Sequence, residues 1–592
     1  MNVQPTLKAA FLSSRNRVWI AVAALAIALK FWLVTAQPVV AIGPAGHDDR
    51  LYLDLARNIL NGEWLGPYNH YTLAKGPMYP LWIAAVWLTH IPLPVAQHLL
   101  YLVSCLVLLN SLRPYLPSAG AACGLFLLLW WNPMTYEMST LGRVLRQNFY
   151  TPTALLLFAG GIALTTRLAA PARARVAWGA LLGVSSAALW LTREESAWAV
   201  PSIALLIIAA AWKSLQAGDR LRSLVAPLTT AIFAATAIMT TACSLNHRYY
   251  GWFGSVEFRA PSFIAAYGAL QRVVASHEIS HYVPVTREAR ELAYAVSPTF
   301  AELKPHLEGA IGEGWAQASA GWIGTSPASL EMGGGWFMWA LRDAVAASGH
   351  TGSARETLAF YQRIADEVNA ACDRGLVPAR RRNDSLIPPW RPVHTERLVE
   401  RLPDAFEFFF LFRGFVPFPG ESVGPDFLLQ RFAQMTRWKL APAPGVEGFE
   451  RMPTQSELLR FRMLQVIGKA LRWPAALLAL GAIPLWLWLW SEALLSRTAS
   501  FRLTVATTAL GGAAAVVVIN TLVDVLSFPN RSTGSFAQAY PLWLLFAGLV
   551  WIEFARWLTR RSFIADVTFD HESLSHPDHA LADDARSAHR VK

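Results

Sequence analysis

Two aspartates stand side by side at Asp48-Asp49, directly ahead of Leu51, Leu55, Ile59 and Leu60 at helical spacing. A carboxylate held at the mouth of an amphipathic helix can serve as a general base, with its neighbour as partner. The same pair can also do no more than cap the helix and favour its positive dipole end. Cations follow downstream: Lys75 in Tyr71-Thr72-Leu73-Ala74-Lys75-Gly76-Pro77-Met78-Tyr79-Pro80, then Arg143 and Arg146, Arg193 in Leu191-Thr192-Arg193-Glu194-Glu195-Ser196, and Arg531. Meeting at one place, they would make a site for a phosphate or pyrophosphate headgroup. Singly, each fits a snorkelling or salt-bridged loop residue, and Arg193 has Glu194 and Glu195 at hand. A third grouping, His277-Glu278-Ile279-Ser280-His281, matches the H-E-x-x-H pattern, which on a helix sets two zinc-binding imidazoles on one face. Pro284 follows closely enough to end such a helix, and no third ligand stands out after it.

These residues must be positioned by membrane helices. The chain has 592 residues, of which 54% are hydrophobic and only 15% charged, with a mean hydropathy of +0.32. That excludes disordered, coiled-coil, collagen-like and disulfide-scaffold classes. The net charge of +11 comes from Lys and Arg flanking apolar stretches, a topogenic signal that does not call for nucleic acid. The four cysteines show no metal-like spacing. Apolar stretches predict about ten crossings, near 18–42, 96–112, 119–134, 151–166, 177–191, 197–212, 224–243, 475–490, 503–522 and 540–557. The segment 77–91 is read as a short interfacial helix. Were it to cross, the loops bearing Arg167, Arg173 and Arg175 and bearing Lys213, Arg220 and Arg222 would fall outside, against the positive-inside rule.

The expected fold is therefore an all-α polytopic membrane protein with both termini in the cytoplasm. Residues 1–245 form a transmembrane module with an outer loop at 43–91, 246–472 a mostly helical periplasmic or extracellular domain, 473–560 the last transmembrane helices, and 561–592 a disordered cytoplasmic tail. The order of features resembles the C-type membrane glycosyltransferases (GT-C), especially the bacterial branch with lipid A aminoarabinose and protein O-mannosyl transferases. The resemblance rests on Asp48-Asp49-Arg50-Leu51-Tyr52 with Ala56, on Gly76-Pro77-Met78-Tyr79-Pro80-Leu81 preceded by Lys75, and on Leu191-Thr192-Arg193-Glu194-Glu195. It covers 17–215 well, 475–557 weakly and 246–470 not at all. Two departures accompany it: Glu137 is the only acid in the 135–150 loop, and Arg531 and Tyr540 are well separated where relatives often carry an Arg-Tyr pair.

The resemblance implies Asp48 as general base with Asp49 beside it, and Lys75, Arg143, Arg146 and Arg193 as donor-phosphate contacts, to which the grouping of cations adds Arg531. Tyr52, His70, Tyr79, Glu137 and Glu194, polar residues of the same loops, complete the candidate substrate contacts. The implied reaction is inverting transfer of one sugar from a polyprenyl phosphate to a glycolipid, polysaccharide or protein outside the bacterial inner membrane. A monomer is expected, with no required cofactor, although a divalent cation is compatible. Two alternatives stand beside it: a transporter or flippase of a lipid-linked sugar, and a zinc metalloprotease using His277, Glu278 and His281.

Overall fold

The computed structural model describes residues 14–277 and 279–573. Helices dominate; among the described residues the only extended pairings are four isolated bridges. Among the described residues, eight helices are long and apolar enough to cross a membrane, from Asn16–Val34 to Ala539–Thr559, and each coincides with an expected span. The other two expected spans are also helical. Ala172–Trp190 carries arginines in its first turn, and Ala119–Trp130, at 12 residues, reaches only about 18 Å at 1.5 Å per residue. The first span ends at Val34, earlier than the expected 42, because Pro38 with its restricted predecessor Gln37 turns the chain extended.

Small residues set how closely the bundle packs. In Ala172–Trp190, Gly179 and Gly183 lie one turn apart against the Arg222–Tyr250 helix, where an added Cβ would come within 2.1 Å of the Pro227 carbonyl oxygen and 2.2 Å of that of Ala231. Only glycine allows that backbone approach. In the first span, Lys30 is wholly buried and donates to the Trp130 carbonyl at 2.5 Å and Thr135 Oγ1 at 2.6 Å, with its ammonium 4.1 Å from the Trp130 ring centre. These contacts fix the turn that leads into the 135–146 loop.

Two short helices lie where the bundle meets the 246–472 region. Asp49–Leu60 buries Leu51, Leu53 and Leu55 together with Tyr52 and Ala56. Met78–Leu88 has 11 residues, about 16 Å against a hydrocarbon core of about 30 Å, which agrees with an interfacial helix. The extended segment between the first span and Asp48 is pinned on both sides. Val39 N–H donates to the Lys439 carbonyl at 2.9 Å, Ala441 N–H to Val39 at 2.8 Å, and Val40 N–H to Gly142 at 2.9 Å. The last of these sets residues 142–143 beside the aspartate pair.

The 246–472 region packs in two ways. Helices Pro261–Arg272, Gly334–Ala347 and Ala354–Asp373 share a core that includes Phe263, Tyr267, Leu341, Phe360 and Ile364. Pro392–Phe410 instead leans on the last spans, with the Phe410 and Trp543 rings 4.7 Å apart. Asp426–Thr436 docks on the Asp49–Leu60 helix, Arg431 donating to Asp54 at 2.8 Å. The expected boundary at 472 falls within one continuous helix, Gln455–Leu495, opened by a capping box between Thr454 and Glu457. The last helix continues to Ser573, into the tail expected to be disordered, and 574–592 lie outside the described residues.

Candidate functional site

Asp48 occupies the N-cap position of Asp49–Leu60, yet its side chain makes no capping hydrogen bond. It accepts a hydrogen bond from the Lys75 ammonium instead. Asp49, one residue on, is fully buried and takes Arg143 on both oxygens, with Nε at 3.0 Å from Oδ1 and an Nη donating to Oδ2. Capping alone therefore does not account for the pair: each carboxylate has its own basic partner from a different loop.

Local chemistry explains how Lys75 arrives there. At Gly76 an added Cβ would lie 1.8 Å from the Leu191 carbonyl oxygen, so the 75–77 and 191–193 segments touch backbone to backbone. Arg146 donates to the Thr192 carbonyl at 3.1 Å, tying the third loop to the same place. Tyr52, beneath Lys75 with its ring centre 5.2 Å from the ammonium, packs against Tyr79 at 5.1 Å. Both tyrosines are almost wholly buried, and Tyr79 receives a hydrogen bond from Gln97 at 3.2 Å. These two candidate substrate contacts lie buried beneath Lys75, as the floor that supports it.

Electrostatics separate the two aspartates. Asp48 keeps 53% of its side-chain exposure but sits in a recess, whose desolvation raises a carboxyl group. Lys75, Arg143 and Arg146 outweigh that and hold it below the ordinary carboxylate range. For Asp49 burial prevails over Arg143 and its pKa is raised. Lys75 is also desolvated, yet the Asp48 charge holds its pKa above the ordinary lysine value.

The remaining expected residues divide. Arg193 lies close by but is held by Glu195 at 3.2 Å, with its guanidinium over the Tyr150 ring at 5.5 Å. The Glu194 side chain lies outside the described residues. Glu137 is buried and accepts from the Ser139 amide and, at 3.2 Å, from the Thr140 amide; it lines a cavity of about 70 Å³ on the other side of Arg143. Burial, only partly countered by those amides, raises its pKa. Arg531 is drawn elsewhere, to an ion pair with Asp404 at 3.5 Å.

His70 joins a cluster that the sequence did not announce. Asp343 of the Gly334–Ala347 helix lies 3.4 Å from His47 Nε2 and 4.0 Å from His70 Nε2, and accepts from Trp315 Nε1 at 2.9 Å. Burial lowers the His70 pKa, opposed by Asp343. Trp339 stands 4.5 Å from the His47 ring and 5.9 Å from the Lys75 ammonium. A third wall of the recess thus comes from residues some 270 positions further along, a separation at which no local pattern could reveal it.

The H-E-x-x-H reading is corrected. Residues 274–277 and 279–280 are not helical, so His277 and His281 lack the shared helix face on which the H-E-x-x-H motif sets its two imidazoles. His277 Nδ1 and Ser276 Oγ are hydrogen-bonded at 2.7 Å, the His281 ring lies 3.7 Å from that of Tyr282, and Glu278 is outside the described residues.

No known family profile and no curated protein matches the sequence. Two solved structures show similarity: ArnT from Cupriavidus metallidurans in the apo state, at 14% identity and a TM-score of 0.32, and the same protein bound to undecaprenyl phosphate, at 13% and 0.31. Each alignment covers 91% of this chain and 77% of the other.

Proposed function

We propose that this chain moves a single sugar from a polyprenyl phosphate to a hydroxyl-bearing acceptor outside the membrane, inverting the anomeric carbon. The observation that carries the reading is the Asp48–Lys75 contact, an ammonium and a half-exposed carboxylate joined in a recess beside Arg143 and Arg146. A lipid-linked phosphate suits such a place, since its tail lies among apolar helices while its headgroup needs cations. The resemblance at 48–52, 75–81 and 191–195 supports the same chemistry.

Lys75 and Arg146 hold the donor phosphate, while Arg143 stays on Asp49. As the bond between C1 and the phosphate oxygen breaks, its electron pair leaves with the phosphate, whose growing charge the cations stabilise. The acceptor oxygen bonds C1 from the opposite face and its proton passes to Asp48. Donor binding also strengthens the base. Without donor, Lys75 keeps Asp48 a weak base; a phosphate that engages Lys75 lets the Asp48 pKa rise, so proton abstraction becomes efficient once the donor is seated.

The scheme routes no step through a metal: each aspartate already has a basic partner, and a divalent cation would have to displace both. The arginine-bearing turns at 167–175 and 213–222 lie at the far ends of the helices that begin at Gln147 and Val200 beside the site. By the positive-inside rule this supports a site on the periplasmic or other extracytoplasmic face. A glycolipid, a polysaccharide or a protein would each supply the hydroxyl.

The test is mass spectrometry of total lipids and envelope glycoconjugates from cells carrying wild type or Asp48→Asn at matched expression. Accumulation of a glycosylated polyprenyl phosphate together with loss of one glycan residue is expected in the variant. No change in either pool would sink the reading.

A further inference from the structure

We propose that Arg342, fastened by Glu257, is a positioning residue that holds the 68–74 loop in the shape that delivers Lys75 to Asp48. The inference rests on the phosphate-binding role given to Lys75 above only for its functional readout; its structural claim stands separately.

Arg342 lies on the Gly334–Ala347 helix, between the turn that bears Trp339 and the adjacent Asp343. Its guanidinium, 1% exposed, donates to the carbonyls of His70 and Thr72, each at 2.5 Å, and to the Glu257 carboxylate. Glu257 is equally committed to the loop. Its other oxygen accepts from the Tyr68 hydroxyl at 2.6 Å, and its amide donates to the Leu73 carbonyl at 2.9 Å. One ion pair thus reaches the side chain of residue 68 and the backbone of residues 70, 72 and 73.

The loop needs such support. Leu73 has a φ of 60°, a left-handed conformation that a leucine adopts at a cost and keeps only when its surroundings impose it. Lys75 is two residues beyond. A guanidinium suits the task because its planar fork can serve two carbonyls and a carboxylate together, which a lysine ammonium does with poorer geometry. Burial of the pair without these bonds would leave charged groups unsatisfied, so the helix and the loop hold each other in one arrangement. A strap between two parts of the outer region needs no such convergence on the residues just before a phosphate-binding lysine. On this reading the 246–472 region is part of the catalytic scaffold.

The test uses the full chain in detergent, with Arg342→Met, Arg342→Lys and the milder Tyr68→Phe. Hydrogen exchange is followed at amides 69–76 and, as a fold control, across the Ala354–Asp373 helix. Binding of a polyprenyl monophosphate is measured in parallel. Arg342→Met is expected to speed loop exchange at least tenfold, leave the control helix unchanged and weaken polyprenyl-monophosphate binding at least tenfold, with Arg342→Lys recovering part of both losses. Wild-type loop exchange in Arg342→Met overturns the proposal. If Arg342→Met also loosens the control helix, Tyr68→Phe decides: a two- to fivefold faster loop supports the proposal and an unchanged loop overturns it. If wild type itself binds no polyprenyl phosphate, the proposed function fails while loop exchange still judges the positioning role.

Discussion

Arg143 holds both carboxylate oxygens of Asp49 across a separation of 94 residues, and that carboxylate is fully buried. Its neighbour Asp48 points the other way, into the recess, with half its side chain open. Adjacent aspartates are thereby given different work. One ties the 135–146 loop to the Asp49–Leu60 helix, and the other stays half exposed on the Lys75 ammonium.

Neutralising them should have different consequences. Asp48→Asn is expected to lower transfer by about 10²–10⁴-fold, the range of general-base catalysis, with little change in melting temperature. Asp49→Asn removes the partner of a mostly buried arginine and should destabilise the protein toward the lower end of about 3–5 kcal/mol, because Arg143 keeps some contact with water. Thermal melts in detergent beside single-turnover rates would separate the two. Equal melting losses in both variants would contradict the division of roles.

The pH dependence follows from Asp48 and Lys75. In the free protein Lys75, Arg143 and Arg146 outweigh desolvation and depress the Asp48 pKa, so the acid limb of kcat/KM should fall below the usual carboxylate value of about 3.9. Lys75→Met should shift that limb upward, since burial remains after the main opposing charge is gone. The stability contribution of Asp48 is present above its unfolded pKa and lost as pH falls through the depressed folded value. That of Lys75, whose pKa is raised, is present below its unfolded value and lost as pH rises through the folded one. A pH–rate profile of wild type and Lys75→Met checks the sign.

Much of this arrangement could be read from the chain, and the boundary is physical. Leu51, Leu55 and Ile59 show helical spacing that survives as an amphipathic helix, and the 77–91 apolar run forms a helix of only 11 residues. Lys75 and Asp48 lie 27 residues apart, near enough for one loop to suggest their meeting. The Asp49–Arg143 pair was not legible, because it depends on backbone pairing of Val39 with Lys439 and Ala441 and of Val40 with Gly142. Nor could any periodicity place Trp339, Arg342 and Asp343 against the recess. His277 and His281 show the converse: a matching spacing puts no two imidazoles on one helix face when neither residue is helical.

Gly76→Ala should harm the site without touching a functional group. The new methyl would lie 1.8 Å from the Leu191 carbonyl oxygen, so the 75–77 and 191–193 segments must part. A displacement of about 1 Å in a reacting constellation can cost on the order of 10²-fold in rate. Transfer is expected to fall by that order, with weaker binding of the donor phosphate and unchanged membrane insertion. Wild-type turnover in Gly76→Ala would show that the contact between the loops is incidental.

Metal removal should leave transfer unchanged. Lys75 and Arg143 already occupy the two carboxylates, and Arg146 adds a further positive charge, so a divalent cation entering there would meet repulsion and break two ion pairs. Neither His277 nor His281 is helical, so they offer no paired imidazoles on a common helix face. Treatment with a chelator is therefore expected to change the initial rate by less than about twofold, since no step of the proposed transfer draws on metal-derived charge stabilisation. His277→Ala should leave both rate and bound zinc, measured by elemental mass spectrometry, as in wild type. A chelator-sensitive rate restored by one added divalent ion would instead require Asp48 to act through that ion, and the direct proton transfer assigned to it would have to be abandoned.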